Sequence, residues 1–182
     1  MRSPTVRITP ETAVERWRRS RPLPLRWVGP CKLRKVELIY LPMHLFSCPI
    51  RTTGEIRLLQ VLVDAVIGES VSPLDSGVEL GEERGCVPIC AVTLGTEEAR
   101  ARASEFVRSL WTQSQMLGLA SGERLACEFE ETIAYPFWVL YVQRGTRYSL
   151  AAVDAVSGER TGPKLEKAVL AALIQAERAA TR

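Results

Sequence analysis

The chain has one histidine, His44, four residues before Cys48, and these two side chains are the types best suited to ligate a transition metal or to pair as nucleophile and base. In a strand both fall on one face, about 13 Å apart at roughly 3.3 Å per residue, too far to share one ion. Cys86-Val87-Pro88-Ile89-Cys90 places a proline inside a three-residue gap, which is no recognised zinc spacing. A Gly-x-Ser-x-Gly elbow, a glycine-rich phosphate loop and a His-Glu-x-x-His helix are all absent. No catalytic residue, metal ligand or cofactor site is therefore expected, and the chain reads as a non-enzyme. Cys31, Cys48, Cys86, Cys90 and Cys127 form an odd set without short paired spacings, as suits reduced, buried thiols.

Two carboxylate pairs recur at matching places, Asp64 with Asp154 and Glu69 with Glu159. Paired carboxylates can do acid and base chemistry, but an aspartate ahead of a glycine-containing turn commonly accepts hydrogen bonds from the turn's own backbone. The turn reading is preferred. The remaining chemical signal is basic and aromatic. Arg16, Trp17, Arg18, Arg19, Arg21, Arg26 and Trp27 combine guanidinium groups with indoles, a mixture that can grip phosphates and stack on bases, lie on an anionic surface, or steer docking to an acidic protein. Over the whole chain 24 Lys and Arg stand against 21 Asp and Glu, yet residues 1–36 hold ten basic side chains against two glutamates. The positive charge is regional, which excludes a uniformly basic nucleic-acid coat.

The elements that position these residues come in duplicate. Glu37 opens Glu-Leu-Ile-Tyr-Leu-Pro-Met-His-Leu and leads to Val63-Asp64-Ala65-Val66-Ile67-Gly68-Glu69. Glu131 opens Glu-Thr-Ile-Ala-Tyr-Pro-Phe-Trp-Val and leads to Val153-Asp154-Ala155-Val156-Ser157-Gly158-Glu159. A helix-like segment precedes each copy, at Pro10 to Arg19 and from Thr96, with threonine and glutamate placed to cap free N–H groups. Ala99, Ala103, Phe106, Val107, Leu110 and Trp111 form one apolar stripe of the second helix. Each copy is expected to hold three strands, with Pro42 and Pro136 interrupting the pairing of the first two because proline cannot donate to a ladder. Past the shared turn the copies diverge. Pro163 to Ala179 reads as a C-terminal helix, whereas Val71 to Glu83 reads as a linker.

Alternation places Phe137, Val139 and Tyr141 on one face of their strand and Trp138, Leu140 and Val142 on the other, so both faces need cover. Tyr135, Phe137 and Trp138 join the basic segment as candidate partner-binding residues.

Thr96 to Ala99 at the helix start and Tyr148 to Glu159 at the strand and turn, with counterparts Pro10 to Ala13 and Leu58 to Glu69, resemble the PepSY modules found also in propeptides of secreted metallopeptidases. Tyr135-Pro136-Phe137-Trp138 is similar to repeats in some bacterial proteins that carry a zinc ribbon elsewhere, and no ribbon is present here. The PepSY resemblance implies a cystatin-like curled antiparallel sheet against a helix, used to bind or inhibit other proteins, with no family catalytic residues to carry over. Unlike those modules the chain is expected to lack an export signal, because its Arg-rich start has no apolar stretch.

These readings combine into an α+β protein of two related PepSY-like halves, residues 1–90 with the basic segment and 91–182 with an extra C-terminal helix. The expected role is a protein-interaction module or accessory subunit in the cytoplasm, partnered by another protein or by its own copies. The alternative is nucleic-acid or anionic-surface binding through the Arg and Trp segment. No run of about 18 uncharged apolar residues occurs, so a membrane-spanning helix is not expected.

Overall fold

The structure, a computed structural model, describes residues 1–20, 31–51, 56–74, 77–81, 86–116, 123–124 and 126–181. Their order is β1 (Ser3–Pro4), α1 (Pro10–Arg19), β2 (Cys31–Arg51), β3 (Ile56–Asp64), β4 (Val71–Leu74), β5 (Leu80–Gly81), α2 (Thr96–Met116), β6 (Glu123–Arg124), β7 (Glu128–Arg144), β8 (Arg147–Asp154) and α3 (Pro163–Ala180). The class is mixed α+β, with antiparallel pairing throughout the registered strand pairs.

The helices start where local chemistry says they should. The Thr9 side chain accepts from Thr12 N at 3.3 Å, and Pro10 fills a first-turn position whose N–H would have no helical partner. Glu11 adds negative charge to that turn, and bonding to its own backbone N–H and to the Thr9 hydroxyl holds its carboxyl below the usual range. On α2, Ala99, Ala103, Val107 and Trp111 recur every four residues and are buried. The C-terminal helix begins at Pro163, as expected, and buries Leu165, Ala168, Val169 and Ala172.

Each copy holds two strands, not three. The expected breaks at Pro42 and Pro136 do not occur, because β2 and β7 run through these prolines as strands of 21 and 17 residues. The β2–β3 register ends at Met43 opposite Asp64, and the β7–β8 register at Phe137 opposite Asp154. One step beyond, Ala65 N donates to Pro42 O and Ala155 N donates to Pro136 O. In an ordinary ladder the two residues of such a pair exchange both bonds. Proline cannot return the second one, so the carbonyls of Ala65 and Ala155 remain available. Each is taken by the approach to a helix: Thr93 N and Leu94 N donate to Ala65 O, and Arg7 N and Ile8 N donate to Ala155 O.

The chain divides into two compact units, residues 1–41, 79–90 and 134–182, and residues 42–78 and 91–133. They are not the sequential halves 1–90 and 91–182. In the first unit the strand order is β2-β7-β8. Helix α1 packs there against the hairpin of the second copy, with Ala13 and Trp17 meeting Leu140, Val142, Ala151 and Val153. In the second unit the order is β4-β3-β2-β7, with β6 beside β2. Helix α2 packs there against the hairpin of the first copy, where Ala99, Ala103 and Val107 meet Phe46, Cys48, Val61 and Val63. Each leading helix thus serves the other copy's hairpin.

Candidate interaction site

The recurring aspartates anchor the two turns. Asp64 is fully buried; its Oδ1 accepts from Val66 N, Ile67 N and Gly68 N, and its Oδ2 accepts from Ser70 N at 2.6 Å. Asp154 Oδ1 accepts from Val156 N at 2.7 Å and Ser157 N at 3.0 Å, while Oδ2 accepts from the Tyr135 hydroxyl at 3.0 Å. Gly68 and Gly158 close these turns at φ +69° and +75°. Both carboxylates have structural work within their own turns, and Glu69 and Glu159 are exposed. Over Gly158 lies the guanidinium of Arg16, which donates to Ser157 O at 2.8 Å.

His44 is 2% exposed and bridges two segments of its unit. Its Nε2 lies 3.0 Å from Leu94 O, a pure acceptor, so that nitrogen carries a proton, and Nδ1 is hydrogen-bonded to the Thr132 hydroxyl at 2.9 Å. Phe46 and Phe129 stand edge-on to the ring. Close by in the chain, Cys48 and Cys127 form a disulfide across 79 residues, which overturns the expectation of five reduced thiols. Sequence spacing missed it because the bond joins Cys48 in β2 to Cys127 at the entry to the neighbouring β7, far away along the chain. Cys31, Cys86 and Cys90 lie outside the disulfide and are half-buried. Among the described residues no group of three or more His, Cys, Asp or Glu could hold a metal ion.

The expected partner-binding residues separate on placement. Arg21, Arg26 and Trp27 lie outside the described residues. Trp17 is only 6% exposed and packs with Leu140 and Val153, so its indole is not available for base stacking. Arg18 and Arg19 are exposed, with Arg19 bonded to Glu15 at 2.5 Å. Tyr135 and Phe137 are interior and stand 5.1 Å apart, ring to ring, while Trp138 is half-buried and donates its indole N–H to Ile8 O at 3.0 Å. These aromatic residues hold the first unit together. On the face of β7 away from α1, the Tyr141 hydroxyl donates to Glu37, and Lys35 pairs with Glu37 while lying over the Tyr141 ring. Burial pushes the Glu37 carboxyl up, but bonding to Lys35 and Tyr141 outweighs it and leaves the group below its ordinary range. Burial, with the bond to Glu37, raises the Tyr141 hydroxyl above its ordinary value.

A site the sequence reading did not single out lies in the second unit. Ser47, Leu58, Leu59, Gln60, Pro73, Leu74 and Glu130 line a groove of about 470 Å³. Leu58 is 68% exposed there, since β3 alternates Val61 and Val63 toward α2 and turns Leu58 and Gln60 the other way. The strand β4 bordering the groove carries Pro73, a residue tolerated at sheet edges. The available signal was the Leu58-Leu59 doublet, which puts leucine on both faces of one strand.

No family model, curated protein or solved structure matches this chain. No helix among the described residues is long and apolar enough to cross a membrane.

Proposed function

We propose that the protein is a non-catalytic interaction module that binds another polypeptide in the groove around Leu58 of its second unit. The supporting observation is Leu58, a large apolar side chain exposed within a concave surface whose polar members, Ser47, Gln60 and Glu130, can orient a partner. The same composition, an apolar floor with a few directional groups, is what protein partners use. The resemblance to PepSY modules points the same way, through the two Asp-Ala-Val-x-Gly-Glu turns. The cytoplasm was expected from reduced thiols, and the Cys48–Cys127 disulfide takes that support away, because structural disulfides persist chiefly in oxidising compartments.

The test is a photo-reactive residue at position 58 of the full chain, compared with one at exposed Arg108 on α2. A polypeptide adduct at position 58 and none at 108 is the expected result. Equal adducts at both, or none at 58, would overturn the assignment.

A second reading rests on charge. The first unit holds 18 Lys and Arg against 10 Asp and Glu, whereas the second holds 6 against 11. A basic unit of this kind suits an anionic surface or nucleic acid. Binding through it would weaken with a steep logarithmic salt slope; adducts at Leu58 would instead persist in salt.

A further inference from the structure

Four cations of the first unit lie at one end of its sheet. Lys32 and Arg34 stand near the start of β2, and Arg144 and Arg147 face each other across the turn that joins β7 to β8. The strand order is β2-β7-β8, and a bond from Arg34 to Gln143 shows that these strand ends are neighbours. Lys32, Arg34 and Arg147 are exposed, and Arg144 is half-buried. Residues 31–36 and 143–150 hold no Asp or Glu. Among the described residues none of the four pairs with a carboxylate, whereas Arg19, Lys35 and Arg160 each do. Glu37, the acid of β2, is already taken by Lys35 and Tyr141. Helices α1 and α3 both contact β8 and carry three basic side chains against two acidic each, so neither reverses the sign.

Arg34 is aimed as well as charged. Gln143 Oε1 accepts from Arg34 Nε at 2.6 Å, and Gln143 Nε2 donates to Gly145 O at 2.8 Å, in a turn where Gly145 has φ +59°. The amide is thus engaged at both ends and braces the guanidinium against the turn. With Nε committed, the two terminal nitrogens keep their N–H groups for a ligand, in a fork that matches a phosphate. Gln143 stands opposite Tyr148 in the β7–β8 register, so the phenol shares its face one strand further on, and it is 71% exposed. Arg34, Gln143 and Tyr148 form a row across three strands, roughly 10 Å from first to last at about 4.8 Å per strand. Alternation puts this row on the side away from α1, since Trp138, Leu140 and Val142 take the other.

We propose that this end of the first unit binds a single-stranded nucleic acid, with Arg34 on a phosphate, Tyr148 stacked on a base, and Lys32, Arg144 and Arg147 attracting the backbone. The proposal rests on the charge reading above for its ligand class, places the site outside the Arg and Trp segment, and is independent of the groove around Leu58. An exposed ring among unpaired cations on a sheet face supplies both parts of single-strand binding, a stacking surface and an electrostatic track. The chemistry does not suit a lipid surface, because the hairpin tip reads Arg144-Gly145-Thr146-Arg147 and has no apolar side chain to enter the acyl layer.

Fluorescence anisotropy of a labelled oligothymidylate of about 12 nucleotides, titrated with the full chain, tests it. A DNA duplex, vesicles of phosphatidylcholine with phosphatidylserine, and polyglutamate serve as competitors. The positions changed are exposed, and circular dichroism checks that each variant folds. The wild type should bind the single strand more tightly than any competitor. Tyr148→Ala should weaken binding about tenfold, the loss of one stacked base, and Tyr148→Phe should keep it. Arg34→Gln should lower the logarithmic salt slope by about 0.7, one phosphate's share on a single strand. Arg108→Ala, on α2 of the second unit, should change nothing. A slope unaltered by Arg34→Gln, or a duplex, vesicle or polyglutamate that binds more tightly than the single strand, would overturn the proposal. If salt-sensitive binding survives Tyr148→Ala undiminished, the charge reading stands and this site falls; if no anionic ligand binds at about 50 mM salt, both fall.

Discussion

The two turn aspartates do the same work under different constraints, and the difference is measurable. Asp64 has both oxygens filled by backbone N–H donors that cannot reverse, including Ser70 N at 2.6 Å. Asp154 Oδ2 meets a hydroxyl, and the Tyr135 O–H can rotate to accept from an amide. Asp64→Asn should therefore cost about 3 kcal/mol, because an amide NH₂ faces a buried N–H, while Asp154→Asn should cost about 1 kcal/mol. Urea unfolding measures both, and equal losses would contradict the assignment. The Glu37 and Tyr141 pair gives a pH signature in both directions. Glu37 lies below its ordinary value near 4.5, so its stabilisation is present above that pH and is lost as pH falls through the lower folded value. Tyr141 is raised above its ordinary value near 10, so its contribution is present below pH 10 and fades as pH rises further. Glu37→Gln should flatten the acid limb of a stability profile; an unchanged acid limb would mean that the pair contributes nothing.

At the scale of elements, the helices were the most legible part of the sequence. Thr9-Pro10-Glu11 and the four-residue recurrence of Ala99, Ala103 and Val107 carry their own start and face signals. Strand faces were legible for the same reason: Trp138, Leu140 and Val142 all pack toward α1. The continuity of β2 and β7 was not legible, because proline's missing donor matters only at positions where a ladder partner expects it. Nor was the disulfide, since nothing local relates Cys48 to Cys127. Closing a loop of 79 residues should contribute about 4.5 kcal/mol in the chain-entropy account. The denaturation midpoint should fall on adding reductant, and Cys48→Ala with Cys127→Ala should reproduce the drop. A midpoint indifferent to reductant would contradict the bond.

On the scale of the molecule, the two recurring Asp-Gly turns were legible, but the pairing of the pieces around them was not. Local pattern assigns each helix to the strands that follow it, whereas packing gave α1 to β8 and α2 to β3. The groove was hidden for a related reason: it exists because the first copy continues past Glu69 into β4 where the second continues past Glu159 into α3. What holds the interleaved arrangement is a pair of carbonyls that prolines leave unclaimed. Ala65 O accepts two amides of the approach to α2, and Ala155 O accepts two of the approach to α1. A carbonyl has two lone pairs, so restoring the strand donor must displace a helix amide. Amide hydrogen exchange on Pro42→Ala and Pro136→Ala tests this directly. Pro42→Ala should speed exchange at Thr93 and Leu94 and leave Arg7 and Ile8 protected, and Pro136→Ala should do the reverse. Exchange that changes at neither site, or that follows the sequential halves instead, would contradict the account.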